Sequence, residues 1–406
     1  MNIHSTTSSH MNNKDDVAIV IAPLHLQSHL RQLLHFACRI SSFGLPVYYL
    51  GLATSNTQVR QHSTTLNPCD IAKIHFHDLQ ILNQDPPPNI PMHIWHASMR
   101  TREPIASFLQ DISSKNVQNI SSYLNGESYV FHCLPIFDMY CSHYAPKEGL
   151  PIPLKEQLLI RLPSNDGCYN PKDIKHHAKY LSHCMGMSAG DIFNTSQVIE
   201  GNAFIDSMTH LACTKNKKLW SLGPILPTQK DHKIENKHLC LDYFGTSTSF
   251  SAEQIKEIVI GLELRKHKFI RVFRDVDKGD PVNNKVEERV KGMGLVVRNW
   301  APQQEILAHS STNGFMSHCG WTSCLESIIG FSVTEILKIG LHVREWEYEL
   351  MSASTIQNIV SKLMALEEGD MVRKRAHELS KAVKRSTEEG GVFLIELQTF
   401  VTHMTR

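Results

Sequence analysis

The order of its apolar runs constrains this chain more than any other feature. Short strand-like runs alternate with longer stretches of helical periodicity, a pattern that requires parallel strands joined by helical crossovers, an α/β architecture. "VAIVIA" (17–22) reads as a strand, and "SHLRQLLHFACRISSFG" (28–44) as a helix with Leu30, Leu33, Leu34 and Ala37 on one face, ended by Gly44. Further strands are predicted at "VYYLGLA" (47–53), "IAKIHF" (71–76), "SYVFHCLPI" (128–136) and "DIFNT" (191–195), with a helix over 102–114 opened by Pro104. After a polar stretch, "PTQKDHKIENKHLC" (227–240), Ser251 is placed as a helix N-cap, with Gln254 three residues on and Phe250 set to pack against Ile255. Strands "KFIRVF" (268–273), "GLVVR" (294–298) and "GFMS" (314–317) follow, and helices dominate from 332 onward.

At 406 residues the chain is long for one core. The polar stretch 227–240 is the expected linker between two Rossmann-like domains, 1–226 and 241–406, with a ligand cleft at the carboxyl ends of their strands. A net charge of +1 offers no electrostatic argument for nucleic acid or an acidic membrane. The apolar run that follows the polar N-terminus, "VAIVIAP", is too short for a signal or a membrane span. The 10 cysteines show no paired zinc spacing, which points to reduced thiols in the cytosol. With 24 histidines, no single one carries weight by itself. His75 with His77, and His176 with His177, lack a third ligand at a plausible spacing, so no metal site is expected.

One segment has more to say: "NWAPQQEILAHSSTNGFMSHCGWTSCLES" (299–327). Trp300 follows a predicted strand, where its ring can stack on a planar base or simply close a core. Ala301 can offer backbone groups to a base edge. Gly320 permits close approach, and Thr322 and Ser323 stand at a predicted helix N-terminus, where free N–H groups and the helix dipole suit a pyrophosphate. His318 can donate a further hydrogen bond to phosphate. Glu326, one turn beyond Thr322 on the same face, can accept two ribose hydroxyls. Together these residues describe a nucleotide diphosphate site.

The segment resembles the C-terminal signature box of the plant family 1 UDP-glycosyltransferases, whose ordinary form runs Trp-Ala-Pro-Gln, His-Cys-Gly-Trp-Asn-Ser, Glu-Ser, Gly-Val-Pro, Trp-Pro and Asp-Gln. "ESYVFHC", "SAGDIFNTSQVIEG", "KFIRVFRDVDKGD", "SCLESI" and "EEGGV" are most similar to the zeatin O-glucosyltransferases. The resemblance implies a GT-B fold, two facing Rossmann-like domains with parallel sheets, acceptor in the first and UDP-sugar in the second. It places Trp300 on uracil, Ala301 on the base edge, and Gln303 and Glu326 on ribose. His318, Thr322 and Ser323 would hold the phosphates, Trp321 would lie near the sugar, and Thr246 of "FGTSTSF" would face the diphosphate. Thr322 stands where the family has Asn.

In "APLHLQSHLRQLL" (22–34), similar to the family's Pro-x-x-x-Gln-Gly-His, His29 matches the catalytic base and Ser28 replaces a glycine. An imidazole titrating near neutrality suits removal of a proton from an attacking alcohol. The resemblance implies UDP-glucose as donor substrate, no cofactor or metal, a small hydroxylated acceptor such as a cytokinin, inverting displacement, and a monomer.

Three departures are larger than point changes. The family's strand ending in the Asp that charges the catalytic His has no counterpart in 115–128. "CLDYFGTSTSF" (240–250) leaves no room for a loop and the first strand of the C-terminal domain. "ESIIGF" passes directly to "SVTEILKIG", without the Gly-Val-Pro strand, the Trp-Pro turn and the sugar-binding Asp-Gln pair. At about 5–6 residues per strand, each gap is expected to remove one strand with its loop and to impair activity. A non-catalytic or decayed relative that retains nucleotide or small-molecule binding is the alternative. A dinucleotide enzyme is a distant third, since no G-x-G-x-x-G follows a predicted strand.

Overall fold

β1 (Ile19–Ile21), β2 (Val47–Gly51) and β3 (Ile74–Asp78) pair in parallel in that order, with Ile19 opposite Val47 and Val47 opposite Ile74. The structure is a computed structural model. It describes residues 17–61, 66–80, 100–115, 127–139, 188–225, 239–243, 251–264, 267–273, 288–298, 301–317, 320–330, 340–341, 351–365 and 367–406.

The chain divides into two compact units, Met1–Leu124 with Ile395–Arg406, and Asn125–Leu394. In the first, α1 (Gln27–Ser41) follows β1 and buries Leu30, Leu33, Leu34 and Ala37, the face its periodicity predicts. The Tyr49 hydroxyl donates to the Leu30 carbonyl at 2.7 Å, fixing β2 against the start of α1. Gly44, at φ +83°, turns the chain after α1 in a conformation that a side chain would strain. α2 (Ala53–Gln61), α3 (Pro68–Ile71) and α4 (Arg102–Lys115) complete the run around β3. His75 stacks on Tyr48 and His77 lies against the Phe108 ring, so both histidines of this strand pack on aromatic rings.

The second unit holds two parallel sheets. One has the order β4 (Tyr129–His132), β5 (Gly190–Phe193), β6 (Lys218–Ser221). His132 Nε2 lies 2.8 Å from an Asp191 carboxylate oxygen, and the His132 ring stacks on Phe193; both members of this polar pair are buried. α5 (Ile136–Met139) follows β4. Its Ile136 and Phe137 N–H groups donate to the Glu200 carboxylate of α6 (Gln197–Glu200), a cap supplied from another helix. α7 (Asn202–Thr214) leads into β6. Among the described residues the N-terminal strands therefore form two separate three-stranded sheets. The segment between α4 and β4, 116–126, where the sequence lacks a counterpart of the family's Asp-ended strand, lies outside the described residues.

The other sheet has the order β10 (Thr312–Met316), β7 (Leu239–Tyr243), β8 (Lys268–Phe273), β9 (Gly294–Arg298). β7 corrects the expectation that the first strand of the C-terminal domain is missing. The residues at the end of the predicted linker, "LCLDY", fill that place, paired in parallel with β8 on one side and β10 on the other. Both faces of β7 are covered, as a central parallel strand requires. Cys240 joins a core with Ile258, Phe269, Met316 and Ile356, packed by α8 (Ala252–Leu264) and α11 (Ala353–Ala365). Leu241 joins Val272, Leu307 and Phe315 on the opposite face.

This register also buries Asp242, whose neighbour across the ladder is Arg271. Their side chains form an ion pair, and the guanidinium lies 4.8 Å from the centre of the Phe273 ring. An isolated carboxylate there would carry a large desolvation cost; the paired arginine offsets part of it.

Ser251 caps α8 as expected, accepting from the Gln254 N–H at 3.1 Å, while Phe250 lies outside the described residues. The Gln254 amide both donates to and accepts from the Met351 backbone, tying α8 to the start of α11. α9 (Gln303–Ala308), α10 (Trp321–Gly330), α12 (Glu367–Ser386) and α13 (Val392–Met404) complete the described helices. The third departure, the junction after "ESIIGF", and the pair His176–His177 lie outside the described residues. No described helix is long and apolar enough to cross a membrane.

Candidate nucleotide-sugar site

The chemistry-bearing residues fall in two places, one in each unit. In the first unit His29 stands in the opening turn of α1, after the loop that leaves β1. Ser28 Oγ is 3.3 Å from His29 Nδ1, and Ser55 Oγ is 3.4 Å from Nδ1 of His25 in the same loop. Burial lowers the His25 pKa below its ordinary value, favouring the neutral ring. Both hydroxyl contacts are long for hydrogen bonds.

In the second unit the loop after β9 leads through Ala301 into α9, and β10 leads into α10, whose first repeating bond runs from Cys324 N–H to the Gly320 carbonyl. The opening turn of α10 is thus Trp321-Thr322-Ser323, and the opening turn of a helix directs N–H groups along its axis. Ala301 is buried with Leu241, Leu307 and Phe315, and its carbonyl accepts from the Gln303 N–H at 2.8 Å.

Gln303, Ser323 and Glu326, separated by up to 23 positions, meet in a buried cluster. Gln303 Nε2 donates to one Glu326 oxygen at 2.6 Å and reaches Ser323 Oγ at 3.4 Å. Gln304, which the sequence reading passed over, donates its Nε2 to the other Glu326 oxygen at 2.9 Å. The Gln-Gln doublet that opens α9 was the available signal. Two amide donors thus meet the two oxygens of one buried carboxylate.

Trp321 is tied to β5. Its indole N–H donates to the Asn194 carbonyl at 2.8 Å, at the end of β5, and its ring packs with Val198, Ile199 and Leu325. Asn194 was quoted in a matched segment but given no role; its side-chain oxygen accepts from Ile225 N–H at 2.7 Å, which fixes the carbonyl that Trp321 uses. Thr322 is half-buried in the same turn. Thr246, Trp300 and His318 lie outside the described residues.

With this arrangement in hand, similarity to known proteins is informative. Residues 15–227 match the family described as glycosyltransferase, N-terminal domain, and residues 243–332 match UDP-glucoronosyl and UDP-glucosyl transferase. A zeatin O-xylosyltransferase of Phaseolus vulgaris is 35% identical over 464 residues, covering 98% of this chain and 100% of the relative. A zeatin O-glucosyltransferase of Phaseolus lunatus is 36% identical over 456 residues, covering 96% of this chain and 97% of the relative. Both alignments are longer than the 406-residue chain, so several dozen positions of each relative face gaps. Among solved structures, Phytolacca americana UGT2 complexed with UDP-2fluoro-glucose and pterostilbene superposes with a TM-score of 0.73 at 22% identity, over 96% of this chain and 100% of that one. TcCGT1 in complex with UDP gives a TM-score of 0.74 at 20% identity, over 95% and 98%. These superpositions establish the GT-B fold. From the near-full-length similarity to the Phaseolus proteins and the match of its N-terminal half, the chain belongs to the plant family 1 UDP-glycosyltransferases, enzymes that transfer sugars from UDP-sugar donors.

Proposed function

We propose that this chain descends from a UDP-glucose-dependent O-glucosyltransferase acting on the side-chain hydroxyl of a cytokinin such as zeatin, working as a cytosolic monomer, and that its turnover is impaired. The observation that carries the nucleotide part is the buried Gln303–Glu326–Ser323 cluster at the start of α10. In this reading residues 1–226 hold the acceptor, 227–240 link, and 241–406 hold the donor. Glu326 and Gln303 take the ribose, and Trp300 and Ala301 take the uracil. His318, Thr322, Ser323 and Thr246 take the diphosphate, with Trp321 bordering the sugar. His29 removes the proton from the acceptor hydroxyl as its oxygen attacks C1 of glucose, and UDP departs from the opposite face to leave a β-glucoside. The charge growing on the leaving diphosphate is met by the α10 N-terminus and neighbouring donors, so the chemistry requires no metal or cofactor. The zeatin relatives support the acceptor class, and one of them, a xylosyltransferase, makes xylose the competing donor sugar.

The second reading is a relative that retains nucleotide binding without turnover. It is favoured by the sequence, which lacks the family's Asp-ended strand in 115–128 and the Asp-Gln segment after α10. Calorimetry with UDP and UDP-glucose, beside product analysis with zeatin, tests both. Similar, weak affinity for the two nucleotides is expected, since the sequence keeps the uridine-diphosphate motif and lacks the sugar-binding one. A strong preference for UDP-glucose would show that another segment grips the sugar. Product formation at the rate of a full-length relative would overturn the impairment.

A further inference from the structure

Asn194 binds three separate parts of the second unit. Its N–H donates to the His132 carbonyl of β4 at 3.1 Å, its side-chain oxygen accepts from the Ile225 N–H after β6 at 2.7 Å, and its carbonyl accepts from the Trp321 indole at 2.8 Å. Asn194 and Thr195 are both fully buried, so competing water weakens these bonds little. The chain after β6 also presses on the same peptide group, since a Cβ on Gly223 would collide with Asn194 C and Thr195 N. The carbonyl that receives the indole is therefore fixed in place and in direction. Trp321 is the first residue of α10, and its ring packs with Val198, Ile199 and Leu325. Apolar packing is non-directional; the indole bond adds a direction to it. Helix ends fray, and an anion site built on one loses its geometry when they do.

We propose that Asn194 is a positioning residue for the donor's diphosphate: through the Trp321 indole it fixes the opening turn of α10, so that the positive end of the helix meets the phosphates in a set direction. This rests on reading the opening turn of α10 as the diphosphate site. Asn194 touches no nucleotide atom itself; it acts through Trp321. Recognition of uracil and ribose does not depend on it, so its effect appears only with ligands that carry phosphate.

The experiment separates phosphate from nucleoside. Titrations of the full chain with uridine and with UDP, followed by NMR, give the UDP-to-uridine affinity ratio for wild type, Trp321→Phe, Asn194→Ala and the double variant. Trp321→Phe keeps an aromatic ring against Val198 and Ile199 and removes the N–H donor. Asn194→Ala keeps the carbonyl but removes the side-chain oxygen that Ile225 holds. UDP carries no transferable sugar, so a contact between Trp321 and that sugar does not enter. Loss of one hydrogen bond predicts that Trp321→Phe lowers the ratio about five-fold, with uridine affinity within about two-fold of wild type. Asn194→Ala should lower it in the same direction and add nothing in the Trp321→Phe background, where the indole is gone. An unchanged ratio in Trp321→Phe overturns the inference. So does equal weakening of both ligands, which marks a bond that supports the fold alone. An Asn194→Ala effect undiminished in the Trp321→Phe background overturns it too, since Asn194 then acts by another route. Should Asn194→Ala fail to fold, Trp321→Phe decides the matter by itself. If wild type binds uridine and UDP equally, or neither, the reading of α10 as the diphosphate site is what fails, and the inference falls with it.

Discussion

Two places where a strand of the family pattern is missing from the sequence differ in what the described residues show. Between α4 and β4 residues 116–126 lie outside the described residues, and the described strands on either side belong to a sheet β1-β2-β3 in one unit and a sheet β4-β5-β6 in the other. Between β6 and α8, by contrast, the end of the linker has become β7, a central strand flanked by β8 and β10. The difference lies in the available residues. "LCLDY" offers apolar side chains to both faces, and its one misplaced charge, Asp242, meets Arg271 in register. "KNVQNISSYLNGES" (115–128) offers no run of β-branched or aromatic residues able to line both faces of a buried strand. A deletion is absorbed where a neighbouring segment can both cover two cores and neutralise what it drags in.

Reinsertion is the largest test of this contrast. Restoring from a full-length relative the segment between α4 and β4, together with the one after α10, should raise zeatin glucosylation by at least roughly 10⁴-fold. That is the loss expected of a histidine base without its carboxylate. His29→Ala in the restored chain should abolish the gain. Restoring only the segment between Cys240 and Phe244 should add little, because β7 already occupies its place. Mass-resolved product formation reads all three chains, and equal rates with and without the first insertion would refute the proposed impairment.

The next effect concerns the ion pair that makes β7 acceptable. Arg271→Met should destabilise the second unit by roughly 3–5 kcal/mol, since it leaves Asp242 buried and charged without its partner. Removing both, with Asp242→Leu and Arg271→Met, should restore most of that loss or exceed wild type. Urea unfolding midpoints of the three proteins decide the matter. If the single and double variants are equally weak, the pair is not what permits β7.

The two regions should also respond to acid in opposite directions. In α1, burial together with the Arg31 and Arg39 charges holds His35 at about 3 rather than its ordinary 6.5. The folded state therefore resists protonation. His35 contributes its full stability above about pH 6.5 and loses it as pH falls towards 3, a change of a few kcal/mol. Asp242 is shifted upward by burial, with Arg271 opposing. Its contribution is full below the unfolded value of about 3.9 and declines as pH rises through the folded value. Moving from pH 7.5 to pH 5.5 should thus loosen α1 and leave β7 unharmed by Asp242. Peptide-resolved hydrogen exchange measures this, and His35→Leu should remove the response in α1. An equal loss in β7 and α1 would show that other groups control both.

The smallest effect is local. Ser251→Ala should cost about 1 kcal/mol through loss of the bond that caps α8. It should lower the second unit's melting midpoint slightly and leave exchange in α1 unchanged. Equal loosening of α1 would show that the effect is not confined to the cap of α8.

Much of this was legible in advance because periodic segments declare themselves. α1 shows its buried face in the spacing of Leu30, Leu33, Leu34 and Ala37, and β8 and β9 fall at the predicted positions 268–273 and 294–298. β7 was hidden because Asp242 within it argues against a buried strand. Only the opposing Arg271, 29 residues away, reverses that argument. β6 was missed for a related reason: "KLWS" is too short to show a period. At the site, Gln303 and Glu326 were marked by matched motifs and Gln304 only by its doublet with Gln303, whereas Asn194 acts through contacts that neither spacing nor residue type announces.

The bond from Trp321 to Asn194 spans 127 positions of sequence. It means that the chain cannot be cut at the linker into a self-sufficient donor half. A fragment beginning near β7 would lose the carbonyl that receives the indole, and Val198 and Ile199, which cover Trp321 and Leu325. The opening turn of α10 would then be the least ordered part of the fragment rather than a prepared anion site. On the ribosome the dependence becomes a matter of timing. β5 and α6 must remain folded and uncovered until α10 emerges more than a hundred residues later, and contacts of such separation form slowly. A mutation near Asn194, far from any donor residue in sequence, would surface first as a shortage of folded protein.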